Sequence, residues 1–283
     1  MTGLRFAVLG DPIAHSRSPA MHLAAYAALG LPHVYEALRV TADELEGVVD
    51  RLRANEFAGL NVTVPHKQRV LSLVDQVAPS ARAVGAANTL VRSASGAVTA
   101  YNTDAPALAE ELRGVAGPDM TWLGARGLVI GSGGAALAAV AALAELGASE
   151  ITVRARSFDA SDRREAFMRA AAVPVLAQPW RASSEDERTT RAVIQATSAG
   201  MTGGGPGEPI ASVIDWGALA DDAVAIDVVY SPRDTPFLGA ARRRGLRCAG
   251  GLGMLARQGA LAFEAWLDRP APFEVMRAAL DQP

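Results

Sequence analysis

Short apolar runs closed by Gly, Pro, Asn or Asp alternate along the chain with stretches of helical period, the pattern of an α/β protein with buried strands. Leu4 to Leu9 is the first such run, and Gly10-Asp11-Pro12 closes it as a turn. Ser18-Pro19 predicts a helix start, with Ser18 suited to the N-cap, Pro19 to the first helical position and Gly30 to the closing position. Val34 to Val40 reads as a second strand, and Thr41-x-x-Glu44 as a capping box for a helix reaching about Ala54. In Gly59 to Val64, Val62 and Val64 share one face of a third strand while Asn61 and Thr63 share the other. Pro65 is then expected to open the helix that carries Lys67.

Farther on, a helix around Ser80 to Gly85 precedes two runs, Ala87 to Arg92 and Ala97 to Tyr101, joined through Ser93-Ala94-Ser95-Gly96 as a hairpin. Asn88 and Asp104 fall at strand edges, and Pro106 sits early in the following helix, so Asp104 is either a helix cap or a group held for chemistry. Gly114 to Gly127 is aperiodic and marks a boundary. Beyond it, Leu128-Val129-Ile130 runs into Gly131-Ser132-Gly133-Gly134-Ala135-Ala136 and a helix of small residues to Leu146. This is G-x-G-x-x-A in the strand, turn, helix setting of a dinucleotide site, where glycines let a pyrophosphate approach the helix N-terminus. Glu150 to Val153, Ala192 to Thr197 and Val224 to Tyr230 follow as strands, then a helix to Arg244 and a final one from Gly250 to Leu267 with Phe263 and Trp266 on its apolar side. A mostly parallel sheet is expected throughout.

The 283 residues are enough for two domains. Net charge is −3 with no basic block, which argues against nucleic acid or a membrane surface as partner. The single cysteine, Cys248, excludes an intramolecular disulfide and a cysteine metal cluster, suits a reducing cytoplasm, and leaves no metal to expect. Met1-Thr2-Gly3 leads straight into the first strand with no leader pattern, and apolar runs stop well short of the roughly 18 residues a membrane helix needs.

Candidate chemistry centres on Lys67, the only lysine in the chain. Arginine serves every other cationic position, and it cannot release its proton; an ammonium is a compact donor that can. Ser16 and Ser18, two hydroxyls at a helix N-terminus, either hold a carboxylate or, for Ser18, simply cap the helix. After the second strand of the dinucleotide unit an NAD site would carry Asp or Glu, but the chain reads Arg154-Ala155-Arg156-Ser157. Two guanidinium groups and a hydroxyl match a 2′-phosphate, so NADP is the expected cofactor.

Taken in order, Ser16-Arg17-Ser18-Pro19, Asn61-Val62-Thr63-Val64-Pro65-His66-Lys67, Gly85-Ala86-Ala87-Asn88-Thr89, Asn102-Thr103-Asp104, Gly131-Ser132-Gly133-Gly134-Ala135, Ala196-Thr197-Ser198-Ala199-Gly200-Met201 and Gly251-Leu252-Gly253-Met254-Leu255 resemble the shikimate dehydrogenase family over nearly the whole chain. The resemblance implies an N-terminal α/β substrate domain (1–106 and 252–283), a Rossmann NADP domain (107–251) and a C-terminal helix returning to the first. It implies NADPH-dependent reduction of 3-dehydroshikimate to shikimate by a cytoplasmic monomer or homodimer. Lys67 and Asp104 would be catalytic; Ser16 and Ser18 would hold the carboxylate; Asn61, Thr63, Asn88, Tyr230 and Gln258 would surround the ring. Gly131, Ser132, Gly133, Gly134, Ala135, Arg154, Arg156, Ser157, Thr197, Met201 and Gly251 would face the cofactor. The family commonly has Asn-Arg-Thr where this chain has Ala155-Arg156-Ser157, one phosphate contact fewer. Competing readings are a relative that also oxidises quinate, a methylene-tetrahydrofolate type of dehydrogenase, which needs no Ser16/Ser18 anchor, and a non-catalytic sensor, which has no use for Lys67 and Asp104 together.

Overall fold

The computed structural model describes residues 3–171, 173–180 and 189–282. Met1 and Thr2, where the leader pattern was sought, lie outside them. The chain divides into two compact units, Met1–Asp104 with Leu255–Pro283, and Ala105–Met254.

In the first unit the apolar run Arg5–Gly10 forms β1, followed by helix α1 (Ser18–Ala28), strand β2 (Val34–Arg39), helix α2 (Leu45–Arg53) and strand β3 (Gly59–Val62). The short strand β4 (Gln76–Val77), helix α3 (Pro79–Val84) and the hairpin β5 (Thr89–Arg92) and β6 (Val98–Tyr101) complete the sheet, in the order β2-β1-β3-β5-β6-β4. The sheet is mostly parallel, as expected, with β5 as the exception. β1 runs parallel to β2 and β3, but β5 is antiparallel to both β3 and β6, because the Ser93–Gly96 turn reverses the chain with Gly96 at φ 91°.

The C-terminal end of α1 follows its sequence signal. Gly30 is left-handed at φ 62°, and a paired closure satisfies the last carbonyls of α1: Gly30 N–H to Ala27 and Leu31 N–H to Tyr26. The capping box expected at Thr41 is not formed: α2 starts later, at Leu45 with Glu44 as its N-cap, and the Glu44 carboxylate accepts both the Thr41 backbone N–H (2.8 Å) and its hydroxyl (2.9 Å) in the turn before the helix. Pro65, however, opens no helix: the Val64–Pro65 peptide is cis, and Lys67 sits in a turn ahead of a single 3-10 turn at Arg69–Ser72.

The second unit begins within helix α4 (Asp104–Ala116), which continues through Gly114 where irregular chain was expected. Strand β7 (Arg126–Ile130), helix α5 (Gly134–Leu146), strand β8 (Glu150–Ala155), helix α6 (Ser161–Ala170) and strand β9 (Leu176–Pro179) form one half of its sheet. Strand β10 (Thr190–Gln195), helix α7 (Glu208–Ser212), strand β11 (Val224–Asp227), helix α8 (Pro236–Arg243) and strand β12 (Arg247–Ala249) form the other. The order is β12-β11-β10-β7-β8-β9, every pairing is parallel, and apolar strands such as β7 and β10 are covered on both faces.

Helix α9 (Leu252–Leu267) is not the last, as the sequence suggested; α10 (Phe273–Ala279) follows and packs on α1. Within the first unit, Trp266 of α9 donates its indole N–H to the Leu90 carbonyl at 3.0 Å and lies flat over Gly59, where any Cβ would collide with the ring. Phe6, Tyr26, Tyr35 and His22 complete an aromatic cluster there.

Candidate active site

In the first unit β3 and β6 run the same way and β5 the opposite way, so the end of β3, the start of β5 and the end of β6 share one sheet edge. That edge collects Asn61, Thr63 and Lys67 from the first, Asn88 from the second and Asp104 from the third. Open α/β sheets hold ligands at such edges.

Lys67 Nζ lies 2.6 Å from Asp104 Oδ2, with the side chains only 15% and 6% exposed. The lysine loop is pinned on both sides: the Lys67 carbonyl accepts the Ala87 N–H at 2.7 Å, and the buried His66 Nε2 donates to the Val40 carbonyl at 2.6 Å. Asn88 is the hub of the edge. Its amide nitrogen donates to Asp104 Oδ1 (3.0 Å), Thr103 Oγ1 (2.8 Å) and Gln258 Oε1 (3.1 Å), while its carbonyl oxygen accepts the Thr103 N–H at 2.7 Å. Asp104 thus receives a lysine on one oxygen and an amide on the other.

Asn61 sits opposite Thr89 in the β3–β5 ladder, and its two amide protons go to the Asn88 carbonyl (3.0 Å) and Thr89 Oγ1 (3.1 Å). Its oxygen accepts the Tyr35 hydroxyl at 2.7 Å. Both donors are therefore committed, and Asn61 has only an acceptor lone pair left for a ligand. Thr63 donates its backbone N–H to the Leu9 carbonyl at 2.8 Å, and its methyl occupies the space a Cβ on Gly10 would need.

Ser18 is not the N-cap expected of it. It is the first residue of α1, and the Ser16 hydroxyl accepts the Ser18 backbone N–H at 3.3 Å. Arg17 holds the N-cap position without a side-chain cap, so the Ser16 hydroxyl meets the helix start from outside it and the Ser18 hydroxyl does no capping. The two serines remain adjacent at the N-terminus of an 11-residue helix, with positive dipole end and free N–H groups suited to an anion.

In the second unit the turn after β7 has Gly131 at φ 132°, where a Cβ would stand 2.7 Å from the Ala196 carbonyl oxygen, so only glycine fits. Gly133 is the N-cap of α5, with Gly134 and Ala135 in its first turn, and space stays open beside Gly133. Ser132 Oγ and Ser157 Oγ are 2.9 Å apart, tying the turn to the end of β8. Thr197 follows β10, its loop held by Gln195, whose amide nitrogen donates to the carbonyls of Thr197 (3.2 Å) and Ala199 (3.0 Å). Met201 closes the next turn by accepting the Gly204 N–H at 2.8 Å. Gly251 backs onto the Val228 carbonyl, which leaves no room for a side chain. Tyr230 lies in this unit, beyond β11.

Arg154 needs correction. It is wholly buried, its Nε donating to Gln178 Oε1 at 3.1 Å and its Nη1 to the Val213 carbonyl at 3.2 Å, so it braces the interior and offers nothing to a phosphate. Arg156, two residues on, is exposed, with its guanidinium 5.5 Å from the centre of the Trp180 ring. Sequence reasoning missed Trp180, Tyr35, Gln195 and Asp227. Asp227 ends β11 and accepts the Val229 N–H (2.9 Å) and the Thr235 hydroxyl (2.6 Å); burial pushes its carboxyl up to about 6. A lone carboxylate closing the apolar run Val224-Ala225-Ile226 was the available signal for it, whereas Tyr35 and Trp180 look like ordinary core. Among the described residues no group of His, Cys, Asp and Glu could hold a metal ion.

Comparison with known proteins adds independent findings. The family model for the shikimate dehydrogenase substrate binding domain matches residues 8–90, and that for the shikimate 5′-dehydrogenase C-terminal domain matches 251–280. The shikimate dehydrogenase (NADP(+)) of Microcystis aeruginosa is 39% identical over 276 residues, covering 96% of this chain and 94% of that protein. The shikimate 5-dehydrogenase of Thermus thermophilus, solved with NADP(H) and shikimate, is 35% identical with a TM-score of 0.81, covering 98% of both chains. The ligand-free 5-ketofructose reductase of a Gluconobacter strain is 30% identical, also at a TM-score of 0.81, covering 99% of both chains.

Proposed function

This chain belongs to the shikimate dehydrogenase family, and on that premise we propose that its Lys67–Asp104 pair carries the proton chemistry of the reversible NADPH-dependent reduction of 3-dehydroshikimate to shikimate. The protein is an NADP-dependent oxidoreductase acting on a CH–OH group, in the route to chorismate and the aromatic amino acids. The substrate is assigned to the unit containing Lys67 and the cofactor to the one containing Gly131. A cytoplasmic setting and a monomer or homodimer belong to the same reading.

The observation that carries the proposal is the short, largely buried contact between Lys67 Nζ and Asp104 Oδ2. Bound NADPH supplies the hydride. As the carbonyl carbon is reduced, negative charge grows on its oxygen, and the Lys67 ammonium both stabilises that charge and delivers the proton. Asp104 keeps Lys67 in place and accepts from a neighbouring ring hydroxyl, while Asn88 fixes Asp104 from the other side. Ser16 and Ser18 receive the carboxylate at the start of α1, assisted by the helix dipole. Thr63, Asn61 and Gln258 border the ring, Asn61 acting only as an acceptor.

The residues present fit NADP. Gly131 leaves the cradle a pyrophosphate needs, the N-terminus of the 13-residue α5 faces it, and Arg156, Ser157 and Ser132 offer donors to a 2′-phosphate. Thr197, Met201 and Gly251 lie on loops beyond β10 and β12.

Initial rates with shikimate, quinate and 5-ketofructose, the last as the reducible substrate, each with the NADP and NAD forms of the cofactor, test this directly. The proposal expects shikimate with NADP to exceed every other pair in kcat/KM. A preference for 5-ketofructose, which has no carboxylate, would remove the role given to Ser16 and Ser18, and a preference for quinate would replace the substrate.

A further inference from the structure

Arg156 follows β8 directly, and Trp180 follows β9, the strand paired with β8, so the register Ala155↔Pro179 brings the two side chains together. The guanidinium carbon lies 5.5 Å from the indole centre. Trp180 is half-buried and packs against the core that holds Leu128 and Ile130, which makes it a firm platform beneath an exposed arginine. Ala155 supplies no polar group and Arg154 is committed to the interior.

We propose that Trp180 is a positioning residue for cofactor specificity: it stacks on one face of Arg156 and leaves the N–H edges of the guanidinium directed to the 2′-phosphate of NADP. Stacking uses the face of the fork and phosphate pairing its edge, so the two interactions do not compete. A free arginine side chain loses much rotamer freedom when a ligand immobilises it, and a chain already stacked has less to lose. The inference rests on Arg156 meeting the 2′-phosphate.

The test is binding of adenosine 2′,5′-bisphosphate and of ADP to the full-length protein, by calorimetry and by tryptophan emission. The ratio of the two dissociation constants isolates the 2′-phosphate contribution. Trp180→Leu should weaken the bisphosphate about two- to fivefold, the size of an exposed cation–π contact, and leave ADP unchanged. Trp180→Phe should keep most of the affinity and lose part of the emission change. Combining Trp180→Leu with Arg156→Ala should be no worse than Arg156→Ala alone. If the ratio survives Trp180→Leu but collapses in Arg156→Ala, the role of Trp180 is overturned and that of Arg156 stands. If Arg156→Ala leaves the ratio intact, the Arg156 reading falls and the inference with it. Should Trp180→Leu fail to fold, Trp180→Phe decides, since binding and emission unchanged from the parent would overturn the proposal.

Discussion

The Tyr35 hydroxyl donates to Asn61 Oδ1 at 2.7 Å, completing an amide whose two protons already go to Asn88 and Thr89. A side chain legible in the sequence as a ligand contact is therefore first a rivet between strands, with only acceptor capacity left over. Tyr35→Phe should lower the unfolding free energy by about 1–3 kcal/mol, the cost of leaving a buried acceptor unpaired. Urea denaturation measures this, and an unchanged midpoint would mean that Oδ1 finds another donor.

Lys67→Arg should fail almost as badly as Lys67→Ala. Arginine keeps the charge beside Asp104 but cannot give up its proton and does not fit the 2.6 Å contact. A loss of about 100- to 10,000-fold in kcat is expected, with shikimate binding retained. Asp104→Asn should also lower kcat, and the double variant should lose less than the sum of the two; strict additivity would separate the pair.

Ser16 and Ser18 can be tested together. Both Ser→Ala changes should raise KM for shikimate with kcat nearly unchanged, since carboxylate contacts are much the same in ground and transition states. Ser16→Ala should also reduce stability, by about 0.5–1.5 kcal/mol, the net worth of one hydrogen bond, because its hydroxyl accepts the Ser18 N–H. Thermal unfolding of Ser16→Ala against the parent measures this.

Arg154 and Arg156 should part in the same way. Arg156→Ala is expected to raise KM for NADP about ten- to a hundredfold and leave NAD nearly unaffected, the loss of a charge-assisted contact. Arg154→Ala should instead cost about 2–5 kcal/mol of stability, because it empties a fully buried site and strands Gln178 and the Val213 carbonyl. Equal cofactor effects from both would contradict the buried placement of Arg154.

Two buried groups give stability opposite pH dependences. The Asp227 carboxyl titrates at about 6 in the folded chain against an ordinary 3.8, so between these values the folded state holds more protons than the unfolded. Its contribution is fully present below the lower value and is lost as pH rises through the upper one, on the order of 3 kcal/mol. His22, with no hydrogen-bond partner for either ring nitrogen among the described residues and stacked on Tyr35, is pushed down by burial from 6.5 to about 3. Its contribution is present above 6.5 and is lost as pH falls toward 3, on the order of 5 kcal/mol. Denaturation between pH 4 and 7 should show Asp227→Asn gaining on the parent as pH rises and His22→Phe gaining as it falls. Profiles parallel to the parent would refute both.

Much of this was readable from local chemistry. Glycine at 30, 96 and 131 marks places where the backbone goes left-handed, and a fingerprint built on such glycines survives any change of surroundings. What failed depended on neighbours remote in sequence. Pro65 is an ordinary helix opener until its peptide is cis, and no local signal says so. Arg154 looks like a partner of Arg156 because β9 was not recognised; once that strand covers the edge of β8, Arg154 is inside and only Arg156 is free to meet a ligand. Asn61 looked available because its three partners come from β2 and β5.

The Trp266 indole seated over Gly59 has a consequence for synthesis. The second unit is one unbroken stretch, Ala105–Met254, whereas the first requires Leu255–Pro283 to be complete. On the ribosome the opening sheet therefore emerges early but stays unsealed above Gly59, and the later-translated nucleotide unit is the first to have all its parts. The domain begun first is completed after the one that follows it, so its apolar face has to wait in a nascent chain until α9 and α10 have emerged.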